Sequence, residues 1–213
     1  GRSVSLNHDG SLLAVGKEKD DGEDGSTKDA GAVQLFKFMN GGSIVSAATG
    51  KATYVGTIGN GYDYLDTNDP SVHSVALQNS DKFGTSVAFD KDANRLAVTF
   101  NDKSSPNSNA KPGAVNLYTL TSDLASATLV GTIGDGYDTK DKDVDLSSSL
   151  DVRDLFGEGV DLNETGSRLV VSGQLANGRG NTKNDSGEVM LIKFDDNDFT
   201  NGSLYGKIGS GYG

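Results

Sequence analysis

Oxygen ligands at alternate positions are the side chains of this 213-residue chain best placed to do chemistry. Asp90-Lys91-Asp92-Ala93-Asn94 presents Asp90, Asp92 and Asn94 at every second residue. A hard cation such as calcium takes about six to eight oxygens, so calcium is the cofactor this spacing predicts. Asp141-Lys142-Asp143-Val144-Asp145 repeats the alternation with Asp141, Asp143 and Asp145, and Asp20, Asp21, Glu23 and Asp24 form another acidic group. Against the metal stands the ordinary reading, in which Asp and Asn build turns and charged loops keep an acidic protein solvated.

Aromatic and histidine chemistry is thinner. Tyr62, Tyr137 and Tyr212 recur inside related glycine strings. They suit either a glycan-stacking platform or packing anchors in the seams between repeats. The strings themselves, such as Gly131-Thr132-Ile133-Gly134-Asp135-Gly136, are followed by no helical pattern and closed by no Lys-Ser or Lys-Thr pair, so they predict no phosphate loop. His8 and His73 have no serine or carboxylate at a motif spacing, and no catalytic residue is predicted. Asn163-Glu164-Thr165, Asn184-Asp185-Ser186 and Asn201-Gly202-Ser203 match the N-glycosylation acceptor pattern.

The elements that must hold these residues repeat. Val55-Gly56-Thr57-Ile58-Gly59-Asn60-Gly61-Tyr62 returns as Val130-Gly131-Thr132-Ile133-Gly134-Asp135-Gly136-Tyr137, then as Tyr205-Gly206-Lys207-Ile208-Gly209-Ser210-Gly211-Tyr212, both at steps of 75 residues. Gly31-Ala32-Val33 recurs as Gly113-Ala114-Val115 and Gly187-Glu188-Val189, at steps of 82 and 74. Repetition on this scale marks stacked supersecondary units that share an interior. The expected units are residues 1–83, 84–156 and 157–213, together one repeat domain.

Each unit reads as four short strands. Ser3-Val4-Ser5-Leu6, Ser86-Val87-Ala88-Phe89 and Gly159-Val160-Asp161-Leu162 alternate, and Asn, Asp and Gly turns lead into Leu12-Leu13-Ala14-Val15-Gly16, Arg95-Leu96-Ala97-Val98 and Arg168-Leu169-Val170-Val171. A third strand follows each Gly-Ala-Val marker, and the glycine string supplies the fourth. The long connections fall at 17–30, 99–112 and 174–186, and at 60–83 and 135–156. The fold class is therefore all-β: three four-stranded antiparallel propeller-type blades. Closed propellers hold about four to eight blades, so the ring is expected to be completed by other repeats or chains, or left open.

Composition bounds the partners. The chain has 34% hydrophobic residues, 29 glycines, no Cys and no Trp. That is lean, yet too periodic for disorder. A formal net charge of -11 with scattered Lys and Arg argues against nucleic acid and anionic membranes. No apolar run approaches the roughly 18 residues of a membrane helix.

At Phe83-Gly84-Thr85-Ser86-Val87, Leu96-Ala97-Val98 and Gly113-Ala114-Val115-Asn116-Leu117-Tyr118 the chain resembles the FG-GAP repeat of integrin-alpha-type propellers. It is most similar to the variety in large bacterial exoproteins and adhesins, and Phe156-Gly157 with Gly187-Glu188-Val189 carries the likeness into the third unit. The first unit opens at Gly1, aligned with Gly84 and Gly157, as three units of a longer array or a processed form would. The resemblance implies a non-enzymatic extracellular or cell-surface module, a scaffold and interaction surface able to self-assemble into a filament or array. Its partners would be other copies, neighbouring repeats, or surface glycans and proteins. A lectin with one shallow site per repeat, on Tyr62, Tyr137 and Tyr212, is the alternative.

Overall fold

The computed structural model describes residues 1–38, 52–62, 75–106 and 110–212. His73 and parts of the connections 60–83 and 99–112 lie outside them. The described chain is all-β, arranged as three sheets, antiparallel except for one short parallel pair in the second, that form propeller-type blades. Blade 1 is β1 (Ser3–Leu6), β2 (Leu12–Lys17), β3 (Ala32–Phe38) and β4 (Ala52–Gly59), hydrogen-bonded in that order. Blade 2 is β5 (Val87–Phe89), β6 (Arg95–Phe100), β7 (Ala114–Leu120) and β8 (Ala127–Gly134), with a short fifth strand, β9 (Val144–Asp145), beside β8. Blade 3 is β10 (Phe156–Leu162), β11 (Arg168–Gly173), β12 (Glu188–Lys193) and β13 (Ser203–Gly209). Among the described residues the only helical piece is the 3-10 turn Arg179–Asn181, and none is long and apolar enough to cross a membrane.

Equivalent side chains close equivalent turns. The first hairpin of each blade is held by an Asx bond: Asn7 Oδ1 accepts from the Leu12 amide at 3.0 Å, Asp90 Oδ1 from Arg95 at 3.0 Å, and Asn163 Oδ1 from Arg168 at 2.9 Å. The third and fourth strands of every blade shift register at the same place, after Leu35, Leu117 and Leu191.

Strand alternation splits the interior into two junctions. Leu96, Val98, Phe100 and Tyr118 face blade 1 and join Ala14, Val33, Leu35 and Ile58 in one cluster. Ala97, Val115, Leu117 and Ile133 face blade 3 and pack with Leu162, Leu169, Met190 and Ile192 in the other. Blade 2 is thus covered on both faces, and β6 reads as a nearly continuous apolar run for that reason.

Each junction is pinned by the Phe-Gly step. Phe83 and Phe156, both fully buried, enter parallel bridges with Gly31 and Gly113 of the preceding blade. Their amides donate to Ala30 O at 2.8 Å and Pro112 O at 2.7 Å. A Cβ on Gly31 or Gly113 would lie 2.1 or 2.0 Å from the phenylalanine carbonyl oxygen, so the marker glycine is set by backbone approach. Phe83 also meets Phe100 and Tyr118 edge-on at centroid distances of 5.7 and 6.4 Å.

Candidate functional site

Blade 3 departs from its sisters where β12 and β13 pair. Ala32 pairs with Gly59 and Ala114 with Gly134, but Glu188 stands opposite Gly209. Two pairs further on, Gln34 with Thr57 and Asn116 with Thr132 give way to Met190 with Lys207. Alternation along β12 turns Glu188, Met190 and Ile192 inward and leaves Val189 and Leu191 half-buried. The two replacements therefore meet inside the blade 2–blade 3 junction.

They form an ion pair. Lys207 Nζ donates to Glu188 Oε1 at 2.9 Å and to Ser149 O at 2.9 Å, and Tyr212 OH donates to Glu188 Oε2 at 3.1 Å. The Glu188 side chain is 3% exposed and that of Lys207 15%. Burying a charge is costly unless it is paired, and both oxygens of Glu188 have donors. The Lys207 ammonium also lies 5.8 Å from the Tyr212 ring centroid.

Asp154 lies beside this pair, three residues before Gly157 in the Phe-Gly step. Its Oδ2 accepts from the Asp151 amide at 2.8 Å, as Asp81 Oδ2 accepts from Gln78 at 2.8 Å one repeat earlier. Burial pushes the Asp154 carboxyl above the usual carboxylate range, and the charges of Asp151 and Glu188 add to that against the Asp151 amide and Lys207. Burial, then the bond to Glu188, likewise raise the Tyr212 phenol.

These groups line a polar cleft of about 240 Å³ with Ser147, Ser149, Asn177 and Asn181. One wall is the loop carrying the Arg179–Asn181 turn, fixed by Arg179 N donating to Ser210 O at 2.9 Å and Asn181 Nδ2 to Asp151 Oδ2 at 2.5 Å. A Cβ on Gly178 would come within 2.6 Å of Ser210 O, so this wall requires glycine to close. The cleft thus joins a carboxylate held by two donors to a carboxyl that burial raises, an arrangement that general acid–base chemistry uses.

The residues singled out from sequence are distributed differently. Asp90 serves as the Asx cap of its hairpin, a role that Asn7 and Asn163 fill without charge; burial raises its carboxyl. Asp143 accepts from the amides of Thr132, Thr139 and Lys140, and Asp145 from those of Gly136 and Ser147. Asp92, Asn94 and Asp141 are not drawn into a common cage with them. Among the described residues no group of three or more His, Cys, Asp or Glu is arranged to hold a metal ion. His8 sits in the first hairpin, its amide on Lys91 O at 2.9 Å.

The three tyrosines stay in separate blades. The rings of Tyr62 and Tyr137 lie over Gly59 and Gly134, where a Cβ would approach to 2.9 and 3.0 Å. Tyr62 OH donates to Asp20 Oδ1 at 2.6 Å, and Lys17 Nζ to Asp20 Oδ2 at 2.5 Å. Burial would raise the Asp20 carboxyl, yet these two donors hold it below its ordinary value. Residues 17–21 with Arg2 border a separate, more open hollow of about 480 Å³.

Glu188, Lys207 and Asp154 were not predicted. The signal for Glu188 and Lys207 was visible as a double departure from the repeat, Glu for Ala beside Lys for Thr, whereas Asp154 repeats Asp81.

No family model matches this chain, and no curated protein matches it. Solved structures do. A functionally unknown protein from Desulfotomaculum acetoxidans is 12% identical at a TM-score of 0.47, over 99% of this chain and 42% of that one. The periplasmic gluconolactonase of Pseudomonas aeruginosa is 12% identical at 0.42, over 99% of this chain and 58% of that one. A candidate 6-phosphogluconolactonase of Bacteroides fragilis is 12% identical at 0.43, over 93% and 36%. The chain therefore spans less than two thirds of the length of each. The latter two bear the names of lactonases and not of adhesins, which corrects the FG-GAP resemblance and the reading built on it. Non-enzymatic scaffold, adhesion, filament formation and the lectin alternative go with it. The physical reason for the misreading is that Phe-Gly and Gly-Ala-Val are imposed by blade-to-blade packing and carry no information about activity.

Proposed function

We propose that this chain is a hydrolytic enzyme acting in the blade 2–blade 3 cleft on a small polyhydroxylated ester or lactone. One observation carries the reading: the third blade alone replaces a buried Ala and a buried Thr with Glu188 and Lys207, in the wall of a cleft rich in hydroxyl and amide groups. A perturbed carboxyl beside a paired charge in a cleft is where catalytic groups concentrate.

In this reading the Glu188 carboxylate, oriented by Lys207 and Tyr212, takes a proton from a water that attacks the ester carbonyl carbon. The carbonyl–oxygen bond to the alcohol then breaks, the Asp154 carboxyl, raised by burial, gives its proton to the departing alkoxide, and the proton taken by Glu188 returns to Asp154 through solvent. One water is consumed, and a carboxylic acid and an alcohol are released. Asn177, Asn181 and the Ser147 to Ser149 run supply hydrogen bonds to the ligand's hydroxyls. A location outside the cytoplasm belongs to the same proposal, in keeping with an acidic composition rich in Asn, Asp, Ser and Gly.

The test is acid release followed by pH-stat on a panel of sugar lactones and small esters, glucono-1,5-lactone among them. Turnover is expected from the native chain, and a loss of about 100-fold or more in kcat for Glu188→Gln and for Asp154→Asn, the ordinary worth of a general base or acid. A panel without turnover, or an unchanged rate in Glu188→Gln, overturns the reading.

A further inference from the structure

Blade 3 keeps two glycines, Gly187 and Gly206, whose counterparts admit close approach by the chain that follows: Gly31 and Gly113 in the two sister blades, and Gly131 in blade 2. On blade 2, β9 runs parallel to β8, pairing Ile133 with Val144 and Gly134 with Asp145. A Cβ on Gly131 would lie 2.2 Å from Lys142 O of that following segment. The segment then reaches the Phe-Gly step, whose Phe156 crosses Gly113. Val144 covers Ile133, which is fully buried.

On blade 3 the same positions are open. Gly206, the equivalent of Gly131, has none of the described residues within 4 Å of its Cβ direction. Gly187, the equivalent of Gly31 and Gly113, has the same left-handed backbone at φ +72°, against +91° and +98°, but its nearest neighbour is Gln174 O at 3.4 Å. Ile208 is 62% exposed where Ile58 and Ile133 are at 0%, and Val170 is 38% exposed where Ala97 is at 0%. Glycine inside a strand costs conformational entropy, and at Gly206 none of the described neighbours requires it.

We infer that the outer face of blade 3 is a docking surface for the linker and Phe-Gly step of a further blade of this repeat type. The occupant is an extended segment that pairs parallel with β13 over Gly206, covers Ile208 with an apolar side chain, and seats a phenylalanine against Gly187. Blade 2 shows the chemistry in residues 143–157: an Asp-Val-Asp-Leu strand, then Asp-Leu-Phe-Gly. A second copy of the chain is the weaker occupant, since its own Phe83 and Phe156 steps are already seated.

The probe is a fluorescein-labelled peptide of residues 140–157 titrated with the intact protein and read by anisotropy. Saturable binding is expected, weakened at least tenfold by Gly206→Val in the protein and by alanine in place of Phe156 in the peptide. Gly206→Val should fold, because its Cβ meets nothing and its backbone is not left-handed; Ile208→Asp, on an exposed side chain, is the second variant and should weaken binding equally. No saturation up to millimolar protein, or equal binding by the native chain and both variants, overturns the inference. So does a dimer in sedimentation that Ile208→Asp dissociates, which would assign the face to a second copy.

Discussion

At Asp154, burial outweighs the Asp151 amide and the Lys207 charge, so the carboxyl is raised above its ordinary value in the fold. A carboxyl raised in the fold adds stability that is complete below its unfolded value near 3.8 and is lost as pH rises through the folded one. Asp154→Asn keeps an oxygen for the Asp151 amide and removes the ionisation. It should therefore melt above the native protein at pH 7, by about 2–4 °C for each kcal/mol recovered, and lose that advantage below pH 4. Scanning calorimetry at both pH values checks this; a native protein that is the more stable at pH 7 would contradict the assigned direction. The turn-forming side chains were legible at this scale, because Asn7, Asp90 and Asn163 occupy the same place in the repeat. The cleft was not, because Glu188 and Lys207 look like decay of a motif until the pairing register sets them side by side.

Strands and hairpins followed from alternation and turn chemistry, and the four-strand reading of each blade matches the sheets. The short strand β9 was missed. Its carboxylates, Asp143 and Asp145, drew attention as ligands, while the apolar half of the same alternation, Val144 and Leu146, is what packs into the core. Two glycines at the same place in the repeat should therefore respond in opposite ways. Gly131→Val forces a side chain into Lys142 O and should cost about 1–3 kcal/mol as overpacking, whereas Gly206→Val should stay within about 0.5 kcal/mol. Phe156→Ala, which empties a fully buried site between two blades, should cost about 3–5 kcal/mol. Urea unfolding of the three variants gives the comparison, and equal losses at Gly131 and Gly206 would contradict the role of β9.

Across the whole molecule, two apolar clusters share blade 2 as their common wall. Amides of β6 and β7 should accordingly exchange hydrogen most slowly, and those of β1 and β13, with Val4, Leu6, Tyr205 and Ile208 exposed, fastest. Mass-spectrometric exchange would show it, and uniform protection over the three blades would contradict it. Repetition made the three blades readable because identical packing demands identical markers. It also hid the cleft, since Glu188 and Lys207 are what breaks the repeat. The most direct test restores the sister pattern at both positions. Relative to native protein, the double variant Glu188→Ala with Lys207→Thr should retain the fold, with stability equal or higher because a buried ion pair contributes little net, while lactone or ester hydrolysis falls by about 100-fold or more. Undiminished hydrolysis in that variant would contradict the account; so would its failure to fold, which would make the pair a structural device.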